Sequence, residues 1–185
     1  MKGNLKKTGK LLTYAITPDF EKKTISCLKK IKCDFLQLRN RNFEISSKLN
    51  LDDLEFSKNK TKLIINYHNL KDIIDFNFSK IDGVHYQRDT LKFRDYVKAF
   101  DFLSCHCEED LILAESKGFM YVTISPIFPT KSHPECNKFI DPSKLKIWCK
   151  RYRSLKIFVL GGISKDNLLK IDAEYSGYAG ISLFF

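Results

Sequence analysis

The chain reads as an α/β protein, a compact (β/α)8 TIM barrel formed as one domain over residues 1–185. Three observations predict it. Eight short apolar runs recur along the chain, segments with helical patterning lie between them, and most runs are nearly continuous in apolar residues. Continuous rather than alternating runs are what parallel strands buried on both faces require. A length of 185 residues suits a single core, and a hydrophobic fraction of 43% can fill it. A doubly wound open sheet would show the same alternation and is the second architecture.

The predicted strands cover residues 11–17, 35–39, 62–66, 83–85, 101–106, 121–124, 157–160 and 179–183. The first is Leu-Leu-Thr-Tyr-Ala-Ile-Thr, rich in residues that favour a pleated, buried surface. A helix is predicted over 20–31, followed by the second strand. The stretch 42–60 is polar and irregular, so any helix there is reduced. After the fifth strand, 108–117 carries Glu108, Glu109 and Asp110 in its first turn and ends at Gly118, which marks a helix start and stop. The segment 142–151 opens on Pro142 and buries a stripe of Leu145, Trp148 and Cys149. A short helix over 164–171 starts on the capping residue Ser164. Eight strands thus alternate with seven helices. The chain stops almost on its eighth strand, so the barrel is expected to lack the closing helix. Phe184 and Phe185 then need cover from neighbouring helices or another chain, which points to a homo-oligomer.

The net charge of +10 comes mostly from lysine spread over the chain. Clusters such as Lys29-Lys30-Ile31-Lys32 read as solvated helix faces, and no helix-turn-helix, zinc-finger or RNA-recognition pattern is present. Charge alone does not decide between a nucleic acid and a phosphorylated small molecule. No nucleic acid is expected without such a pattern, and the residues at the strand ends point to a phosphorylated small molecule. No run approaches 18 apolar residues, so no membrane span is expected. The basic start is not followed by the apolar core of a signal peptide, and a cytoplasmic location is expected. None of the six cysteines forms a C-x-x-C pair, so reduced thiols are the expectation.

Active sites of such barrels lie at the C-terminal ends of the strands, and the polar residues gather there. They include Gln37, Arg39 and Arg41 after the second strand, Asn66-Tyr67 after the third, and His85 to Asp89 after the fourth. Ser104 and His106 close the fifth, and Ser125-Pro126-Ile127-Phe128-Pro129-Thr130-Lys131-Ser132-His133 follows the sixth. Gly161-Gly162 ends the seventh, and Ile181-Ser182 lies on the eighth. Arg39 and Arg41, two apart, can aim two guanidinium groups at one anion. Gly161-Gly162 lets backbone N–H groups approach a phosphate, and Thr130, Lys131 and Ser132 add donors. Each element has a plainer structural use: the arginines as a surface ion-pairing edge, Asn66 as a helix cap, Gly161-Gly162 as a turn, and His106, His85 and His68 as structural histidines.

In this order the segments Tyr14-Ala15-Ile16-Thr17, Gln37-Leu38-Arg39, Ile64-Ile65-Asn66, Asp82-Gly83-Val84-His85, Ser104-Cys105-His106, Ser125-Pro126-Ile127-Phe128-Pro129-Thr130, Gly161-Gly162-Ile163 and Gly180-Ile181-Ser182 resemble the thiamine phosphate synthase and TenI family. The resemblance implies coupling of hydroxymethylpyrimidine pyrophosphate to a thiazole phosphate, with release of pyrophosphate and with Mg2+ as cofactor. It implies that Gln37, Arg39 and Arg41 contact the pyrimidine pyrophosphate, and that Asn66 and the metal ligand Asp89 belong to the pyrophosphate–magnesium group. Ser104 would contact the pyrophosphate; Thr130, Lys131, Ser132, Gly162, Ile181 and Ser182 would contact the thiazole phosphate. Arg41, Ser104 and His106 would take part in catalysis. Three departures stand out. Tyr67 replaces the usual magnesium-binding aspartate, Arg41 replaces a lysine, and the segment leading to Asp89 is one residue short. Arg39-Asn40-Arg41, Asn66-Tyr67 and His106 also resemble TenI-type thiazole tautomerases, which move a proton without metal. A non-catalytic thiazole or thiamine phosphate-binding barrel is the third alternative.

Overall fold

Apolar strand sequences with both faces buried close here into one parallel barrel. The computed structural model describes residues 10–41, 49–56, 60–130 and 137–185. The barrel strands are β1 (Leu12–Ile16), β2 (Phe35–Leu38), β3 (Lys62–Asn66), β4 (Gly83–Tyr86), β5 (Phe102–Cys105), β6 (Tyr121–Ile124), β7 (Lys156–Val159) and β8 (Gly177–Gly180). They pair in sequence order, and β1 closes the ring by lying between β8 and β2. All eight predicted strands are present, with one correction. The eighth begins two residues earlier than expected, and from Ile181 the chain turns, Phe184 N–H donating to the Ile181 carbonyl at 2.9 Å. Gly-Tyr-Ala-Gly reads as a turn because glycine is poor in strands. The reason for Gly177 is contact: a Cβ there would lie 2.5 Å from the Leu12 carbonyl oxygen on β1.

The helices are α1 (Lys22–Cys27), α2 (Glu108–Ser116), α3 (Pro142–Arg151) and α4 (Lys165–Leu168). The expectation of seven helices is corrected. Among the described residues, the connections after β2, β3 and β4 hold no α-helix but 3-10 turns, at Leu51–Asp53, Tyr67–Asp72, Phe78–Lys80 and Arg88–Phe93, and a small parallel pairing of Leu49–Asn50 with Ile73–Ile74. Asparagine chemistry accounts for three of them. The side chains of Asn50, Asn66 and Asn77 each accept the N–H two residues on, a local bond that competes with α-helix. The predicted polar stretch falls partly on residues 42–48 and 57–59, outside the described residues. No helix among the described residues is long and apolar enough to cross a membrane.

Two cores result. Outside the strands, α3 buries Leu145, Trp148 and Cys149 as its pattern predicts, and the Tyr152 hydroxyl donates to Glu108 of α2 at 2.9 Å. Inside, Tyr14, Phe35, Phe102, Tyr121 and Phe158 pack ring on ring, with centroids from 4.4 Å (Tyr14–Phe102) to 6.4 Å (Tyr121–Phe158). Phe184 stacks on Tyr178 of β8 at 6.5 Å, so part of its cover comes from its own chain.

The N-terminal end of the barrel is tied by carboxylates. Asp34, Asp82 and Asp101 each sit just before a strand and accept an N–H from the strand before it: Thr13 at 2.8 Å, Leu63 at 2.8 Å and Val84 at 2.9 Å. Asp101 also accepts from Lys98 N–H at 3.0 Å and pairs with Arg94 at 3.1 Å, while the Arg94 guanidinium lies 3.8 Å from the Phe119 ring centre.

Candidate active site

The opposite end holds a cavity of about 810 Å³. Gln37, Arg39 and Arg41 reach it from β2, Asn66 from β3, Ser104 and His106 from β5. Thr130, Gly162, Ile181 and Ser182 face them from the connections after β6, β7 and β8. Of the predicted site residues, Lys131 and Ser132 lie outside the described residues. Asp89 does not line this cavity; it lines an adjoining groove with Arg88, Glu109 and Asp110, as the shortened segment leading to it implies.

The two arginines are presented by the way the chain leaves β2. The Thr17 hydroxyl donates to the Arg39 carbonyl at 2.7 Å and accepts the Arg39 N–H at 2.8 Å. Asn40 is bonded to Asn69, giving its N–H to the Asn69 side chain and receiving the Asn69 amide on its carbonyl, both at 3.1 Å. Arg39 and Arg41 flank it on the cavity side. Burial, and then the neighbouring Arg41 charge, lower the Arg39 pKa from 12.5 to about 10. Among the described residues no carboxylate forms an ion pair with Arg39. A half-buried cation in that setting is arranged for an incoming anion.

Gly161 and Gly162 serve packing first. Both have positive φ, 92° and 62°, and the chain from Pro126 to Pro129 lies directly on them. Ile127 N–H donates to the Leu160 carbonyl and Phe128 N–H to the Gly161 carbonyl, each at 3.0 Å. A Cβ on Gly162 would stand 2.2 Å from the Pro129 oxygen. The Gly162→Ala variant should therefore lose about 2–4 kcal/mol, a fall in Tm of roughly 5–15 °C. Gly118→Ala, with φ 69° but open space around its Cβ, should lose only about 1 kcal/mol. Thermal unfolding of the two variants side by side measures the contact apart from the backbone conformation.

Asn66 does cap, its Oδ1 accepting His68 N–H at 3.1 Å, yet it also lines the cavity. The His106 Nδ1 lies 2.8 Å from the Ser125 carbonyl oxygen. A carbonyl only accepts, so Nδ1 carries the proton and donates, and in the neutral ring Nε2 keeps a lone pair. His85, read from the sequence as structural, forms the cavity floor: Nε2 is 2.9 Å from Ser104 Oγ and Nδ1 is 3.0 Å from the Tyr14 hydroxyl. Burial, then Arg39, then His106 lower its pKa to about 3, so it is neutral at neutral pH. Register held the clue, since His85 stands beside Asn66 across β3 and β4. His68, by contrast, sits outside the cavity with Nε2 3.0 Å from the Gln87 side-chain oxygen. Gln87 and Ser125 also line the cavity; both lie in segments singled out from the sequence, but neither was among the predicted site residues.

The donors do not fit a magnesium ion held by carboxylates inside this cavity. Its described lining contains hydroxyls, amides, imidazoles and guanidinium groups but no carboxylate. Tyr67 turns into an aromatic stack, its ring parallel to Phe93 within 8° at 5.7 Å and also 5.7 Å from Tyr86. Among the described residues no three His, Cys, Asp or Glu side chains converge to hold a metal.

Comparison with known proteins agrees with this layout. Thiamine-phosphate synthase of Methanosarcina barkeri (strain Fusaro / DSM 804) is 32% identical over 91 residues, 46% of this chain and 41% of that protein. A protein of Aquifex aeolicus (strain VF5), provisionally named thiamine-phosphate synthase 2, is 38% identical over 85 residues, 44% of this chain and 43% of its own. The matches thus span less than half the length of these relatives. Among solved structures, thiamine phosphate pyrophosphorylase from Pyrococcus furiosus superposes with a TM-score of 0.64 at 19% identity, covering 93% of this chain and 86% of that one. At that identity the likeness concerns the fold. The family model described as thiamine monophosphate synthase matches residues 13–184, nearly the whole barrel, and by that match the chain belongs to the thiamine monophosphate synthase (TMP-TENI) family.

Proposed function

We propose that this chain is a thiamine phosphate synthase, joining hydroxymethylpyrimidine pyrophosphate to a thiazole phosphate and releasing pyrophosphate. The observation that carries the reading is one cavity lined by Arg39 and Arg41 from β2 and by Thr130, Gly162 and Ser182 from the connections after β6, β7 and β8. Each set suits one phosphorylated partner, and Gln37, 2% exposed, supplies an amide in the same cavity for a heterocycle. In this reading the guanidinium groups bind the pyrophosphate and stabilise charge as it leaves. The thiazole nitrogen then captures the pyrimidine carbon. The partners are small phosphorylated molecules in solution.

The test is to supply both substrates, with and without magnesium chloride, and follow thiamine phosphate and pyrophosphate by chromatography. Equal amounts of both products, at least 100-fold reduced in the Arg41→Ala variant, are expected. Folded protein that yields neither product under either condition sinks the proposal. One observation favours a second reading. The His106 ring, with Nδ1 committed to Ser125, offers Nε2 to the cavity as a base, which suits tautomerisation of a thiazole phosphate. Deuterium uptake into the thiazole without magnesium, lost in His106→Asn, would mark that activity.

A further inference from the structure

We infer that Tyr14 and His85 are positioning residues that fix the Ser104 hydroxyl as a hydrogen-bond donor aimed into the cavity. The chain of contacts runs inward from the cavity: Ser104 Oγ to His85 Nε2 at 2.9 Å, and His85 Nδ1 to the Tyr14 hydroxyl at 3.0 Å. Its direction follows from the deepest member. Tyr14 is 0% exposed, and burial keeps its phenol protonated, so its O–H needs an acceptor. Among the described residues the only hydrogen-bond partner of that hydroxyl is His85 Nδ1. The phenol therefore donates to Nδ1, and the single proton of the neutral imidazole sits on Nε2. Nε2–H donates to Ser104 Oγ, with the Thr123 hydroxyl farther off at 3.4 Å.

Ser104 Oγ, already accepting from His85, turns its own O–H away from the imidazole. Ser104 is half-buried and lines the cavity, so that hydrogen is presented to whatever binds there. The arrangement is the reverse of a serine nucleophile, whose histidine accepts the hydroxyl proton. A fixed donor beside Arg39 and Arg41 selects a ligand oxygen bearing negative charge. The inference deepens the synthase reading and rests on it for identifying that anion as a pyrophosphate group.

Two measurements test it, both on the whole chain. Nitrogen-15 NMR of the imidazoles should show His85 as the Nε2–H tautomer at pH 7.5, with conversion toward Nδ1–H in Tyr14→Phe. An Nδ1–H tautomer in the parent protein overturns the inference, whether or not the variant folds. Calorimetric titration with inorganic pyrophosphate should show about fivefold weaker binding for Tyr14→Phe. In a Ser104→Ala background the same change should have no further effect. Independent, additive losses would mean that Tyr14 acts through packing and would also overturn it. The expected tautomer and coupling, found in a protein that makes no thiamine phosphate, would keep the relay and reject the proposed reaction.

Discussion

The Arg39→Met variant is expected to bind inorganic pyrophosphate about 100-fold more weakly and yet to melt at a higher temperature than the parent protein. Both effects have one origin. Arg39 is half-buried, lies near the Arg41 charge and has no ion-pair partner among the described carboxylates. Its pKa, lowered to about 10, means that the folded chain holds this charge less well than the unfolded chain does. For a cation lowered in this way the penalty is present at every pH below about 10 and fades above it. Methionine keeps much of the stem volume and removes the charge, for a gain of about 1–3 kcal/mol after discounting for partial solvent screening. Calorimetry against pyrophosphate and thermal unfolding at pH 7.5 measure the two sides separately. Weaker binding with a lower melting temperature would show that Arg39 is a structural residue.

At the other end of the barrel the Asp101→Ala variant should lose about 3–5 kcal/mol, lowering Tm by roughly 10–20 °C. The carboxylate side chain is 1% exposed and that of Arg94 8%, so alanine leaves a buried guanidinium without its counter-charge. It also removes the acceptor for the N–H groups of Val84 and Lys98. Adding Arg94→Met should therefore recover only part of the loss, because the two backbone donors stay unpaired. Full recovery in the double variant would assign the whole effect to the ion pair. No recovery would assign it to the backbone bonds.

The barrel was legible because apolar runs such as Lys62–Asn66 and Tyr121–Ile124 leave no exposed face, and eight of them along one chain admit few arrangements. Helix α3 was equally clear, with proline in its first turn and its stripe on one side. The missing helices after β2, β3 and β4 were harder to read. Asparagine at 50, 66 and 77 settles three of the turns, those after β2 and β3, by a bond spanning two residues, which no apolar periodicity reports. At the site, motif spacing brought Gln37, Arg39, Asn66, Ser104 and Gly162 to one cavity, but it overlooked His85. A histidine on a buried strand looks like core until its neighbours are known, and its partners Tyr14 and Ser104 lie 71 and 19 residues away. Asp89, at the end of a segment one residue short, lines the neighbouring groove instead.

The aromatic packing of the barrel interior sets a rule for traffic. Tyr14, Phe35, Phe102 and Phe158 fill the space beneath His85, so among the described residues the cavity has no rear exit. Everything that enters must leave by the mouth through which it came. Two molecules joined in such a vessel cannot load at random if one lies deeper than the other. The deeper one enters first, and its product departs last. Where two substrates lie one below the other in this barrel, initial-rate kinetics will therefore follow a compulsory order, imposed by a plug of rings.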